Sequence, residues 1–434
     1  MRTDAAPAGG APVGREVTGA SRRPLLSGEL KDGALHLASA LARTLPAAAA
    51  TDHRNPSLAS GSAGLAVCTG QFARTRSDQL AADVALTHLE KAVDVLATEP
   101  LSSSLYSGFP GIAWAVELVD RLLGNEGEDR NGDIDDALIG WLRRYPEHAP
   151  YDLINGLTGL GVYALARWPR PGAAPCLLGV VEQLARRARH DRDGTYWWTP
   201  PSWRGPRGER YQPAGVDLGV AHGIAGVIPF LARVHRLGLA RPAVRPLLDG
   251  SVSWLLAHLV DTASGPTVPY FVADRVEPGP ARSAWCYGDP GVAAALLLAA
   301  RDVGESAWAA TATDLAVRAA ARPAGQTGVV DAGLCHGSAG LAHLFGLMYR
   351  MTAEPALADA ARSWVGRTLE WCSAVTADGP APDGAERPGC NGPGLLEGTA
   401  GVALAMEAAC TAAEPIWDQM LLVSTAETVR DEAR

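Results

Sequence analysis

Leu334 to Met351 reads LCHGSAGLAHLFGLMYRM. Gly337 and Gly340 form a Gly-x-x-Gly pair followed by an aliphatic residue, and a stretch of helical character begins there. The arrangement occurs six more times: SGSAGLA at Ser60, SGFPGIA at Ser107, NGLTGLG at Asn155, HGIAGVI at His222, YGDPGVA at Tyr287 and EGTAGVA at Glu397. The first glycines, Gly61, Gly108, Gly156, Gly223, Gly288, Gly337 and Gly398, stand 47, 48, 67, 65, 49 and 61 residues apart. Glycine supplies 48 of the 434 residues, so a bare pair carries little weight. The aliphatic residue after every second glycine, and intervals never shorter than a helical hairpin, carry the reading.

A period of about 48 residues fits two helices and two loops. Leu80 to Ala97 supplies an example of the second helix: Leu80, Val84, Leu86, Leu89, Val93 and Leu96 fall near the i, i+3, i+4, i+7 spacing of a half-buried face. The glycines are expected where a loop turns into an inner helix, allowing close backbone approach and positive φ. Ala66, Ala113, Ala293, Ala342 and Ala403 would let the inner helices pack near an axis. An open solenoid needs polar caps at its ends, but the first and last repeats carry the same apolar signature as the rest, which favours a closed ring. The predicted fold is all-α, an α/α toroid of seven helical hairpins, with the residue before each first glycine at one mouth. Short strands or substrate-facing loops are expected in the long intervals of roughly Arg167–Gly215 and Gly238–Ala281, and Pro229 predicts a kink or a late helix start. Residues 1–30 are read as a weakly ordered tail, least structured up to about Arg23, and residues 31–434 as one toroid domain.

The 38 Lys+Arg against 47 Asp+Glu give a net charge of −9, which argues against a nucleic-acid-binding surface. No stretch approaches the roughly 18 uncharged apolar residues of a membrane span, and the N-terminus lacks the apolar block of a signal peptide. Cys68, Cys176, Cys286, Cys335, Cys372, Cys390 and Cys410 are an odd number thinly spread. That distribution argues against a disulfide scaffold and for a reducing cytoplasm.

The residues ahead of the seven first glycines are Ser60, Ser107, Asn155, His222, Tyr287, His336 and Glu397. Cys286 and Cys335 immediately precede Tyr287 and His336, so a ring would gather Cys286, Cys335 and His336 into a Cys₂His set. Such a set with an open fourth position suits catalytic zinc, because thiolate and imidazole favour that ion over harder cations. The bland alternative is two buried thiols and a hydrogen-bonded loop histidine. His222 is either a proton shuttle or a helix-start hydrogen-bonding group, Asp152 either a site carboxylate or a cap, and Arg282 and Tyr287 either site residues or packing groups. Cys68, Cys176, Cys372, Cys390 and Cys410 are read as without chemistry, and His88, His235, His258 and His343 as solvated or core residues.

AHGIAG, AWCYGDPG, LCHGSAG and LLEGTAG, with YDLINGLTGLG upstream, resemble the lanthipeptide cyclases of the LanC type from about Ser57 to Leu404. The resemblance implies an α,α-toroid with one zinc held by Cys286, Cys335 and His336, an acid/base histidine at His222, an acidic residue at Asp152, and the family's Arg and Tyr at Arg282 and Tyr287. It implies zinc-dependent addition of peptide cysteine thiols to dehydroalanine or dehydrobutyrine in a dehydrated precursor peptide. With no kinase-like or dehydratase region ahead of the toroid, a stand-alone cyclase is expected, with a dehydratase of the same pathway as a further partner. Three alternatives share parts of this pattern: addition of a small thiol such as glutathione, a non-catalytic peptide-binding zinc toroid, and a carbohydrate-active toroid. The last needs two carboxylates at the mouth.

Overall fold

The computed structural model describes residues 24–48, 55–125, 127–201, 214–274, 277–376 and 392–426. Most of the expected tail and Cys390 lie outside them. In chain order the helices are α1 (Gly28–Ala42), α2 (Leu45–Ala48), α3 (Ser62–Arg76), α4 (Gln79–Thr98), α5 (Phe109–Leu123), α6 (Gly132–Leu142), α7 (Leu157–Arg167), α8 (Ala173–Arg187), α9 (Ile224–Arg236), α10 (Arg241–Ala257), α11 (Asp289–Val303), α12 (Ser306–Ala321), α13 (Ser338–Thr352), α14 (Pro355–Thr376) and α15 (Thr399–Cys410). Each Gly-x-x-Gly starts an odd-numbered helix from α3 to α15. These seven pack on one another in sequence, and α15 packs on α3, so the ring is closed.

The inner helices are buried almost all round: every residue of α11 from Asp289 to Ala300 is inaccessible, as a helix at a core's centre must be. The outer helices bury one face. That face on α4 is Ala85, His88, Leu89 and Ala92. Here the structure corrects the sequence reading, for Leu80 is 73% and Val93 39% exposed. Two alanines let α4 lie close on α3, and a close outer helix leaves no place for the larger stripe.

The seventh outer helix comes from the other end of the chain. α1 packs on α15 and α14, Leu25 N–H donates to the Ala409 carbonyl at 3.1 Å, and Leu25 and Leu26 are buried. Leu25 and Leu26, ahead of the expected boundary at residue 30, thus join the core, because the last inner helix needs an apolar cover. α9 starts at Ile224 and runs through Pro229 without the expected late start. Burial from Ile224 to Val234 outweighs the one backbone hydrogen bond that proline removes.

The strands, all in antiparallel pairs, are β1 (Arg189–Asp191) with β2 (Gly194–Tyr196), β4 (Val260–Thr262) with β5 (Gly265–Thr267), and β3 (Val216–Asp217) with β6 (Phe271–Val272); all fall in the long intervals except β3, just past the first. In the last pair Val216 faces Val272 and Asp217 faces Phe271.

Residues Ile416 to Leu421 form a 3₁₀ turn, and Trp417, Met420 and Val423 are fully buried. The Tyr106 hydroxyl donates to the Met420 carbonyl at 2.8 Å, Trp285 Nε1–H to the Leu421 carbonyl at 2.9 Å, and Arg233 to the Ser424 and Ala426 carbonyls. The C-terminal segment thus fills the bore beneath the loops that lead into α5 and α11. Among the described residues no helix is long and apolar enough to cross a membrane.

Candidate metal centre and its surroundings

Seven loops with one backbone plan build the mouth. Three residues before each first glycine stands a buried apolar residue: Leu58, Leu105, Leu153, Val220, Trp285, Leu334 and Leu395. Its carbonyl lies under the second glycine; a Cβ at Gly64 would come within 2.3 Å of the Leu58 oxygen, and one at Gly291 within 2.1 Å of the Trp285 oxygen. Close approach is therefore what the glycines are for. Positive φ, the other expected reason, occurs among the first glycines only at Gly288 (φ 83°).

Two residues before each first glycine, the backbones join into an annulus. Leu396 N–H donates to Ala59, Ala59 to Tyr106, Ile154 to Ala221, Ala221 to Cys286, Cys286 to Cys335 and Cys335 to Leu396, at 2.8–3.3 Å. The remaining link is made by the Ser104 hydroxyl, which donates to the Ile154 carbonyl at 2.7 Å. Cys286 and Cys335 are consecutive members of this circle. The residues one place before each first glycine are the accessible ones: Ser60, Ser107, Asn155 and Glu397 are exposed, and His222, Tyr287 and His336 half-buried.

The ligand atoms of Cys286, Cys335 and His336 all lie within 4.8 Å of one another. Zn–S bonds of about 2.3 Å place the ligands of a tetrahedral site roughly 3.5–3.8 Å apart, so small side-chain adjustments would let all three meet one ion. The electrostatics agree with the donor set. A hydrogen bond from Cys335 holds the Cys286 thiol below its ordinary range against the effect of burial, and His336 adds to it. The same hydrogen bond and burial push Cys335 up, while contact with Cys286 raises His336. Two thiols and an imidazole so crowded share one charge poorly, and a cation would relieve that crowding.

His222 Nδ1 meets Asp152 Oδ2 at 2.7 Å, and Asp152 Oδ1 accepts from its own loop at Asn155 N–H, also at 2.7 Å. Burial opposes charge on His222, but the hydrogen bond and charge of Asp152 prevail, with Asp217 and Cys286 adding to them, and its pKa is raised. Asp152 thus caps its own loop with one oxygen and meets His222 with the other. The Tyr287 hydroxyl donates to Asp217 Oδ2 at 2.9 Å. Arg282 Nε donates to the Tyr270 hydroxyl at 3.2 Å; burial works against its charge, and Tyr270 and the two thiols more than offset that. The structure thus brings all seven sequence-selected residues to consecutive loops at one mouth.

Sequence reading missed Asp217, Asp331 and Tyr270. The first two carry a signal, since DLGVAHG (Asp217–Gly223) and DAGLCHG (Asp331–Gly337) align over seven places. Tyr270 lies outside any repeat. Cys68, Cys176, Cys372 and Cys410 are buried, and burial pushes Cys176 and Cys410 up to about 12. His343 is a core residue paired with Asp418 at 3.0 Å.

These features define an α/α toroid whose mouth gathers a Cys₂His group that could hold a metal ion. Residues 52–422 match the family model for lanthionine synthetase C-like proteins, and the chain belongs to that family. Among solved structures the fold is similar to that of nisin cyclase, with a TM-score of 0.71 at 20% identity over 89% of this chain and 96% of that one. An inactive variant of an α-1,6-mannanase from Salegentibacter sp. HEL1_6 matches at a TM-score of 0.43 and 15% identity, covering 88% and 99% of the two chains. That likeness is too slight to bear on function.

Proposed function

We propose that the protein is a zinc-dependent lanthionine cyclase that adds peptide cysteine thiols to dehydroalanine or dehydrobutyrine, closing thioether rings in a dehydrated precursor peptide. The observation that carries this reading is the convergence of Cys286, Cys335 and His336 within 4.8 Å, in loops adjoining the His222–Asp152 pair. Zinc bound there would lower the pKa of an incoming thiol, which is otherwise near 8.5.

The remaining chemistry falls to the side chains. Thiolate attack on the β-carbon forms one C–S bond, turns the C=C bond into a single bond and leaves negative charge on the adjacent amide oxygen as an enolate. Arg282, held by Tyr270, offers a fixed cation to that oxygen. His222 holds the proton that the α-carbon needs, and Asp152 favours its charged form and fixes its Nδ1, leaving Nε2 for the substrate. The proton released by the thiol matches the one consumed at carbon, so the reaction is redox-neutral and leaves peptide mass unchanged. A cytoplasmic setting belongs to the same reading, supported by the free thiols of Cys68, Cys176, Cys286, Cys335 and Cys410, as does supply of the peptide by a dehydratase.

The test is incubation of the purified protein with a dehydrated precursor peptide, followed by thiol alkylation and mass spectrometry. Loss of alkylatable thiols at constant mass is expected. Unchanged thiol content contradicts the assignment, and a mass increase only when glutathione is supplied would assign small-thiol addition instead.

A further inference from the structure

Asp217 and Asp331 occupy the same place, six residues ahead of Gly223 and Gly337. Each commits one carboxylate oxygen to its own loop: Asp217 Oδ1 accepts from Gly219 N–H at 2.9 Å, and Asp331 Oδ1 from Gly333 N–H at 2.8 Å. The second oxygen reaches a site residue. Asp217 Oδ2 accepts from the Tyr287 hydroxyl at 2.9 Å, and Asp331 Oδ2 lies 3.2 Å from His336 Nε2.

Repeat 1 supplies an uncharged counterpart at the same place. Asn55 Oδ1 accepts from Ser57 N–H at 3.1 Å, and its amide donates to the Ser60 hydroxyl at 3.1 Å. The loop therefore keeps its form with a neutral side chain there. Burying the Asp217 carboxylate at 1% exposure is costly, and the turn alone could avoid that cost with Asn. The charge is explained by what the second oxygen holds.

We propose that Asp217 and Asp331 are a matched pair of positioning residues for the reaction proposed above, on which this inference rests. Asp217 fixes Tyr287 beside His222, and Asp331 engages one nitrogen of His336 so that the other is presented to the metal. A carboxylate behind a ligating histidine orients the ring and strengthens the ligand.

Asp→Asn is the decisive change, because the amide oxygen can still accept the loop N–H while the charge is gone. Apo wild type, Asp217→Asn and Asp331→Asn are titrated with zinc against a chromophoric chelator, and their cyclisation rates are measured alone and with Tyr287→Phe. Asp331→Asn is expected to weaken zinc binding by roughly 10- to 100-fold, and Asp217→Asn to leave it within about twofold of wild type. Asp217→Asn is expected to slow cyclisation roughly tenfold, and to add nothing further in the Tyr287→Phe protein. Wild-type zinc affinity in Asp331→Asn, or Asp217→Asn and Tyr287→Phe effects that simply multiply, would overturn the proposal. Loss of folding in either Asn variant would overturn it too, since the carboxylate would then serve the turn. A wild-type protein that binds zinc but cyclises nothing sinks the functional reading and the Asp217 arm with it. The Asp331 arm needs no substrate, so the two failures are distinguishable.

Discussion

The loop ahead of α3 reads NPSLASG (Asn55–Gly61) and the loop ahead of α13 reads DAGLCHG (Asp331–Gly337). Both cap a backbone N–H with the side chain of their first residue, bury a leucine carbonyl under the second glycine of the motif, and pass one peptide through the annulus. They differ where it matters: Asn, Ala and Ser in the first stand where Asp, Cys and His stand in the second. Repeats 4 to 6 carry carboxylates, thiols, imidazoles and a guanidinium at these places, whereas repeats 1 to 3 carry only hydroxyls, amides and apolar groups. The backbone is thus a scaffold with interchangeable positions, and function resides in the side chains grafted onto consecutive loops.

That comparison can be broken by writing one half into the other. The largest effect is expected from Cys335→Ala, which places repeat 1's residue in repeat 6. The protein should fold, retain almost no zinc after dialysis and show no cyclisation, because one of the three proposed ligands is gone. A fully metallated Cys335→Ala protein would remove the ligand assignment.

Next in size is His222→Ser, which copies Ser60. Bound zinc should stay while cyclisation falls roughly 10²- to 10⁴-fold, the usual worth of a positioned acid. Ser60→Ala should change neither. Zinc lost from His222→Ser would make that histidine a metal residue.

A smaller effect is expected from Asp152→Asn. In the proposed mechanism His222 must be charged to donate its proton, so activity should be lost as pH rises through its folded pKa, and Asp152 holds that pKa up against burial. Without the carboxylate, burial prevails and the alkaline limb of the rate profile should move down by roughly one pH unit or more. A limb that stays in place would separate Asp152 from the titration of His222.

The smallest difference between the halves should come from the glycines they share. Gly64→Ala in repeat 1 and Gly291→Ala in repeat 5 each press a methyl onto a carbonyl. Both should cost about 1–3 kcal/mol or more in denaturant unfolding, and nearly the same amount. Strongly unequal losses would mean that the two halves do not share one loop.

Much of this was legible in the sequence because a repeat announces itself. The inner helices, the closure of the ring and the residues beside each first glycine all followed from seven copies of one motif. What the motif does not encode stayed hidden. α4 buries alanines and His88 in place of Leu80 and Val93, because closeness to α3 selects small residues over large ones. α1 completes the last hairpin from the far end of the chain, a long-range pairing with no local pattern. Asp217 and Asp331 lie just upstream of the motif, and their second oxygens gain meaning only once Tyr287 and His336 are folded beside them.

The central claim, one ion held by the Cys286, Cys335 and His336 side chains with room for a substrate sulfur, is tested most directly by zinc K-edge X-ray absorption on the purified protein with and without a cysteine-containing dehydrated peptide. Two sulfur and one nitrogen ligands plus one light-atom ligand are expected, rising to three sulfurs when the peptide is added. Four protein ligands that do not change with peptide, or a protein that binds no zinc, would contradict it.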